Sequence, residues 1–185
     1  MPALLVCCAL AAGCGGGGAS ATSGAKAKPA SVAVSVCGQA RRAAAGVLGA
    51  AVTARIADRD PTNVECVLRG RALRIDLVAE QSPQAYTEFN TTQAHQQQVY
   101  GPAAPGVHRP GEIPQDASEG KMIAGWIPAE NKLFATNASP TTGGSYMTVK
   151  VTRGARGDAA RRKLARAVAL ATLAVAPRGA DPGGS

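Results

Sequence analysis

The two histidines, His95 and His108, are the side chains best suited to act as an acid or base near neutral pH. Neither belongs to a nucleophile or metal motif, because Gly-x-Ser-x-Gly and His-Glu-x-x-His are both absent from the chain. His95 lies in a Gln-rich stretch and is expected to be an exposed helical residue. We expect a ligand-binding site to lie between the sheet and the Pro-rich loop, near His108, its neighbour Arg109 and the single tryptophan, Trp126, and the favoured alternative for Trp126 is a buried core residue. No catalytic residue is assigned, and neither a metal nor another cofactor is expected.

Paired carboxylates are a second kind of chemical candidate, since most glycoside hydrolases place two acidic side chains around the scissile bond. Asp58 with Asp60, and Asp116 with Glu119, are the close pairs in this sequence. Both pairs fall in turn-like segments, where acidic side chains are usually solvated. An envelope hydrolase that acts on wall or glycan material is therefore the alternative function, behind a non-enzymatic binding domain.

The first fourteen residues form an apolar segment that ends in small residues and a cysteine. This segment is too short to span a bilayer, which needs about 20 residues, and is typical of a signal peptide. Residues 15–30, rich in Gly, Ser, Ala and Lys, are predicted to be a flexible tether.

The signal segment ends in Leu10-Ala11-Ala12-Gly13-Cys14, which resembles the lipobox of bacterial lipoproteins. In that family the cysteine after the cleavage site carries a diacylglycerol thioether, with acyl chains such as palmitate. The resemblance implies lipidation of Cys14 and anchoring at the extracytoplasmic face of the cell membrane. A plain secretory signal, and hence a secreted protein, is the alternative.

The five cysteines divide in a way that favours export. Cys7 and Cys8 would leave with the signal peptide and Cys14 would be acylated, so that Cys37 and Cys66 remain. In an oxidising compartment this pair is expected to form a disulfide bond, whereas a cytosolic protein would keep two buried free thiols. On the chain-entropy model, closing this loop would stabilise the fold by about 3–4 kcal/mol.

The formal net charge of +8 at pH 7 is concentrated toward the end of the chain. The densest basic cluster comprises Arg153, Arg156, Arg161, Arg162, Lys163 and Arg166. Aromatic or amide side chains for base readout are not interleaved with it, so a cytosolic nucleic-acid-binding protein is a less favoured alternative. In an exported protein the cluster is either a solvated helix face or a surface for anionic lipid headgroups or acidic wall polymers. A protein partner is also left open.

The 185 residues suffice for one domain, which we place at 31–177, followed by a loose tail over 178–185. Its first half predicts an Ala-rich helix over 39–51, a turn over 60–63 and a hairpin of strands 64–68 and 72–79. Ser82-Pro83 then begins a helix that runs to about Tyr100.

The second half predicts a long Pro-rich loop over 101–118 and a second hairpin, 121–127 with 132–136. A strand over 145–152 follows, and Asp158 is expected to cap a closing helix over 159–176. The whole pattern predicts an α+β domain, with an antiparallel sheet of about five strands and helices packed on one face.

This arrangement resembles a group of small actinobacterial exported lipoproteins of unknown function. The residues that carry the resemblance are Cys14, Cys37, Cys66, the turn Gln115-Asp116-Ala117 and the segment 164–173. The resemblance implies a membrane-anchored extracytoplasmic domain that binds a small ligand or an envelope partner. It implies no catalytic residue.

Overall fold

The computed structural model describes residues 29–60, 62–100, 122–138 and 143–176 of the chain. Within these ranges the protein has one six-stranded sheet in the order β1-β2-β3-β6-β5-β4, and every pairing is antiparallel. The elements in chain order are α1 (Pro29–Leu48), β1 (Thr53–Arg59), β2 (Asn63–Arg69), β3 (Arg74–Ser82), α2 (Ala85–Tyr100), β4 (Ile123–Ile127), β5 (Lys132–Thr136), β6 (Gly144–Arg153) and α3 (Asp158–Leu173).

The predicted α+β class with an antiparallel sheet is confirmed, with six strands in place of about five. The additional strand is β1, an edge strand that pairs only with β2 and has a bulge between Ile56 and Asp58. Its side chains are exposed or half-buried throughout, so it lacks the apolar signal by which strands are found in a sequence. The charges and the bulge of β1 are features that protect an edge strand from pairing with other chains.

The helices lie on both faces of the sheet, which corrects the expectation of helices on one face only. α1 and α3 pack on the face formed by Ile75, Leu77, Met147, Val149 and Val151. α2 packs on the opposite face, where Phe89 meets Phe134 with ring centroids 5.1 Å apart. The reason is strand alternation: Phe134 lies between Leu133 and Ala135, whose side chains are in the main core.

α1 begins at Pro29, earlier than the predicted start at Gln39. Its buried stripe is Ala33, Val36, Cys37, Ala40 and Ala44, which follows helical spacing from Ala33 onward. The two serines and three β-branched valines of this segment have lower helix propensity, and the packing of the stripe overrides that preference.

The Cys37–Cys66 disulfide is confirmed, and it joins α1 to β2 with a Cα–Cα distance of 5.7 Å. Both cysteines are buried, and each is part of the main apolar core between the sheet and the two helices. The bond therefore fixes α1 to the sheet at a point where apolar packing already holds the helix.

Replacing both cysteines, as C37A/C66A, is expected to lower the free energy of unfolding by about 3–4 kcal/mol, because the unfolded chain regains the freedom of the closed loop. Urea unfolding followed by circular dichroism measures the change. Oxidised and reduced wild-type protein should differ by a similar amount, which controls for the loss of side-chain volume. Equal stability of the oxidised and reduced proteins would contradict the prediction.

Candidate functional site

A groove of about 560 Å³ lies along α3, between this helix and strand β4. We call it the α3 groove, and its lining residues are Val47, Ala124, Gly125, Trp126, Leu133, Asp158, Ala159, Arg162, Lys163, Arg166, Ala167 and Leu170. Alternation along β4 and β5 directs the side chains of Ala124, Trp126 and Leu133 toward α3. The C-terminal turn of α1 contributes Val47, which is 39% exposed. The groove thus combines an apolar floor with cationic side chains from one helix.

Trp126 is fully buried beside the groove, and its indole Nε1–H donates a hydrogen bond to Asp158 Oδ1 at 2.8 Å. The predicted capping role of Asp158 is wrong. Gly157 is the N-cap residue of α3, with φ 87°, and no side chain caps the helix there. Asp158 is instead the first residue of the helix, where a carboxylate interacts favourably with the helix dipole. Its side chain ties the start of α3 to β4.

The basic cluster predicted near the C-terminus separates into side chains with different surroundings. Arg161 is part of the framework: its Nη1 donates to Asn131 Oδ1 at 2.7 Å and its Nε donates to the carbonyl of Ala155 at 3.1 Å. Asn131, in a left-handed conformation with φ 51°, ends the short turn between β4 and β5. Arg162, Lys163 and Arg166 instead line the α3 groove.

The predicted ligand site is only partly within the described residues. Trp126 is fully buried and lines the α3 groove, whereas His108 and Arg109 lie outside the described ranges, so their grouping with Trp126 stays a prediction. His95 is exposed on α2, as expected, and α2 lies across the sheet from α3. The expected lipidation residue, Cys14, is also outside the described ranges.

Of the carboxylate pair Asp58 and Asp60, Asp60 forms the turn between β1 and β2, while Asp58, in β1, accepts a hydrogen bond from the Arg59 N–H at 2.8 Å. Asp60 Oδ1 accepts hydrogen bonds from the backbone N–H groups of Thr62, at 2.7 Å, and Asn63, at 2.6 Å, and from the Thr62 hydroxyl, at 3.0 Å. These hydrogen bonds lower the pKa of Asp60, because they stabilise its charged form. Asp116 and Glu119, the other pair, lie outside the described ranges.

A second depression, of about 620 Å³, lies at the turn between β2 and β3 and the end of β6. We call it the turn patch, and its lining residues are Arg69, Gly70, Arg71, Ala72, Leu73, Arg74, Asp76, Lys150, Thr152 and Arg153. Sequence reasoning used this turn only to join two strands and assigned no function to its arginines. The sequence feature that could have pointed to this patch is the close spacing of Arg69, Arg71 and Arg74 around Gly70.

Metal binding and membrane insertion can be assessed for the described ranges, residues 29–60, 62–100, 122–138 and 143–176. Nowhere in these ranges do three or more His, Cys, Asp or Glu side chains gather in a way that could hold a metal ion. In the same ranges, no helix combines the length and apolarity needed to cross a bilayer.

The chain matches no protein-family model, no curated protein and no solved structure. Functional inference therefore depends on the sequence patterns and on the two depressions.

Replacing Asp158 with alanine is expected to lower the free energy of unfolding by about 1–2 kcal/mol, because the buried indole N–H loses its acceptor. Asp158→Asn keeps an acceptor oxygen and should lose less than half as much. Urea unfolding followed by the fluorescence of Trp126 measures both variants. If the two variants were equally stable, the hydrogen bond would not be the interaction that holds α3 to β4.

Proposed function

We propose that this protein is an exported, lipid-anchored domain that binds an anionic amphiphile in the α3 groove at the extracytoplasmic face of the membrane. The binding role is non-enzymatic. The proposal combines two parts, the anchor and the groove, which have separate support and separate tests.

The anchor is supported by the N-terminal sequence and by the cysteines. The lipobox-like segment ends at Cys14, and fourteen residues separate it from Pro29, where α1 begins. The Cys37–Cys66 disulfide fits an oxidising compartment, because structural disulfides persist mainly outside the cytosol. Together these features favour a domain exported from the cytoplasm and held near the membrane by a tether.

The observation that carries the binding role is the union of an apolar floor and a cationic wall in one groove. Ala124, Leu133 and Leu170 offer apolar contact, while Arg162 and Lys163, which are neighbours near the start of α3, supply two positive charges. Among the lining residues the one carboxylate is Asp158, and it is already hydrogen-bonded to Trp126. The volume of about 560 Å³ is in the range of small-molecule sites.

The chemistry of the lining selects the class of ligand. Arg162 and Lys163 give the groove positive charge that a phosphate or carboxylate group would neutralise by charge-assisted hydrogen bonds. The apolar floor would bury a short alkyl segment, which stabilises binding by about 0.8 kcal/mol for each buried methylene. A ligand with one anionic head and one apolar chain satisfies both parts of the groove.

The anchor is tested by the intact mass of the protein extracted from native membranes. We expect cleavage before Cys14, the added mass of acyl chains and the loss of two protons for the Cys37–Cys66 bond. Cys14→Ser should release the protein from the membrane fraction, whereas Cys8→Ser, within the removed segment, should not. A full-length chain that begins with Met1 and is recovered from the cell interior with reduced cysteines would refute export.

The groove is tested by its own fluorophore, because Trp126 is the single tryptophan of the chain. Titration with dodecyl phosphate below its micellar concentration should shift the Trp126 emission with saturation. R162Q/K163Q should weaken binding at least tenfold, since it removes two charge-assisted contacts of about 1.5–3 kcal/mol each. R41Q/R42Q, which removes two exposed charges from α1, is the matched control and should bind as the wild type does. Equal binding by both double variants would refute the groove as the site.

A further inference from the structure

The turn patch concentrates positive charge on the open face of the sheet. Five cations, Arg69, Arg71, Arg74, Lys150 and Arg153, line it together with one carboxylate, Asp76. The intervening strand residues, such as Leu68, Ile75 and Val151, are buried in the main core on the other face. Strand alternation therefore leaves the polar side chains of β2, β3 and β6 on a surface that α1 and α3 do not cover.

The strand register places like charges directly opposite each other in this patch. Arg69 pairs with Arg74 across β2 and β3, and Arg153 is the partner of Arg74 across β3 and β6, next to a register shift between Arg74 and Ile75. In a regular cross-strand pair such as Arg69 and Arg74 the Cβ atoms are about 4.5–5.5 Å apart, and like charges at this separation destabilise the sheet. A repulsive row of three arginines on three adjacent strands is unfavourable for folding and favourable for binding an anion.

Asp76 offsets only part of this repulsion. Its carboxylate accepts hydrogen bonds from Arg74 Nε at 3.1 Å and from Arg74 Nη2 at 3.0 Å. The Thr152 hydroxyl also donates to the Arg74 carbonyl, at 3.3 Å. Asp76 thus orients one guanidinium, and the patch keeps a formal charge of +4 from its five cations and one carboxylate.

The backbone that carries these arginines is held in place by close packing. The Gly70 N–H donates to the Leu73 carbonyl at 3.2 Å, and the Leu73 N–H donates to the Gly70 carbonyl at 3.4 Å. Gly154, with φ 114°, packs so closely on Leu73 that a side chain at position 154 would collide with it. The arginines are therefore presented from a fixed turn, which limits the entropy lost when they bind a ligand.

The spacing of the cations on this face favours a chain-like anion. α2 lies on the same face, fastened by the contact of Phe89 with Phe134 and by the hydrogen bond of Thr92 with Tyr146 at 3.0 Å. The row of cations repeats at the strand spacing of about 4.8 Å, which suits a polymer with regularly spaced anions.

We propose that the turn patch binds a linear polyanion, which lies across β2, β3 and β6 beside α2. This site is separate from the α3 groove and does not depend on the amphiphile proposed there. The position of the patch fits a polymer beyond the membrane: the Ala51 carbonyl, just after α1, lies against Gly70, and α1 is about 30 Å long, so its N-terminus is the end of the helix farther from the patch.

Inorganic polyphosphate is the probe that tests this site on the full chain, by isothermal titration calorimetry at low and at physiological ionic strength. We expect saturable binding that weakens with salt, and an affinity at least tenfold lower for R69Q/R153Q. The control R41Q/R42Q removes the same net charge from α1 and should change the affinity less than twofold. Because R69Q/R153Q removes repulsion, its free energy of unfolding at low salt should equal or exceed that of the wild type.

Three outcomes would overturn the proposal. Equal weakening by R69Q/R153Q and R41Q/R42Q would mean that the net charge of the protein, and no particular surface, attracts the polymer. Binding of orthophosphate as tightly as polyphosphate would remove the need for a linear ligand. Stronger binding to phosphatidylglycerol vesicles than to polyphosphate, with the same loss in R69Q/R153Q, would assign the patch to a lipid surface.

Discussion

The pairing of β3 with β6 is the constraint on which the rest of the structure depends. It joins the N-terminal strands β1–β3 to the C-terminal strands β4–β6 over nine registered residue pairs, from Arg74↔Arg153 to Ser82↔Gly144. On one face this pairing assembles the apolar strip that α1 and α3 cover. On the other face it brings Arg74 and Arg153 together, so the same backbone hydrogen bonds create the core and the basic surface.

The two depressions use the same kind of charge in different settings. In the α3 groove, cations lie beside an apolar floor and one fully buried tryptophan, which is why we propose a ligand with an anionic head and an alkyl chain. In the turn patch, cations lie among polar side chains on an open sheet, which is why we propose a ligand selected by charge and spacing. The net charge of +8 favours encounter with anions at both surfaces, and the different local composition is the reason for proposing two different ligands.

Some charged side chains hold elements of the fold together, and this limits which charges are available for binding. Arg161 is held by Asn131 and the Ala155 carbonyl, Arg74 by Asp76, and Asp158 by Trp126. Each of these contacts joins two elements or two positions of one strand, so its loss would disturb the fold before it disturbed a ligand. Arg162 and Lys163 in the groove, and Arg69 and Arg153 in the patch, are the side chains whose replacement separates binding from stability.

The sequence by itself determined the α+β class, both hairpin turns and the Cys37–Cys66 pairing, because alternation, turn residues and cysteine parity are local or countable features. It could not determine strand β1, whose only large apolar residue is Ile56, or the early start of α1, where the burial of Ala33 and Val36 overrides the low helix propensity of the valines. Only the tertiary structure decided that Asp158 bonds Trp126, that α2 crosses to the other face, and that three arginines share one row. These contacts join residues that are far apart in the chain. They depend on the register between distant strands, which no single segment of the sequence encodes.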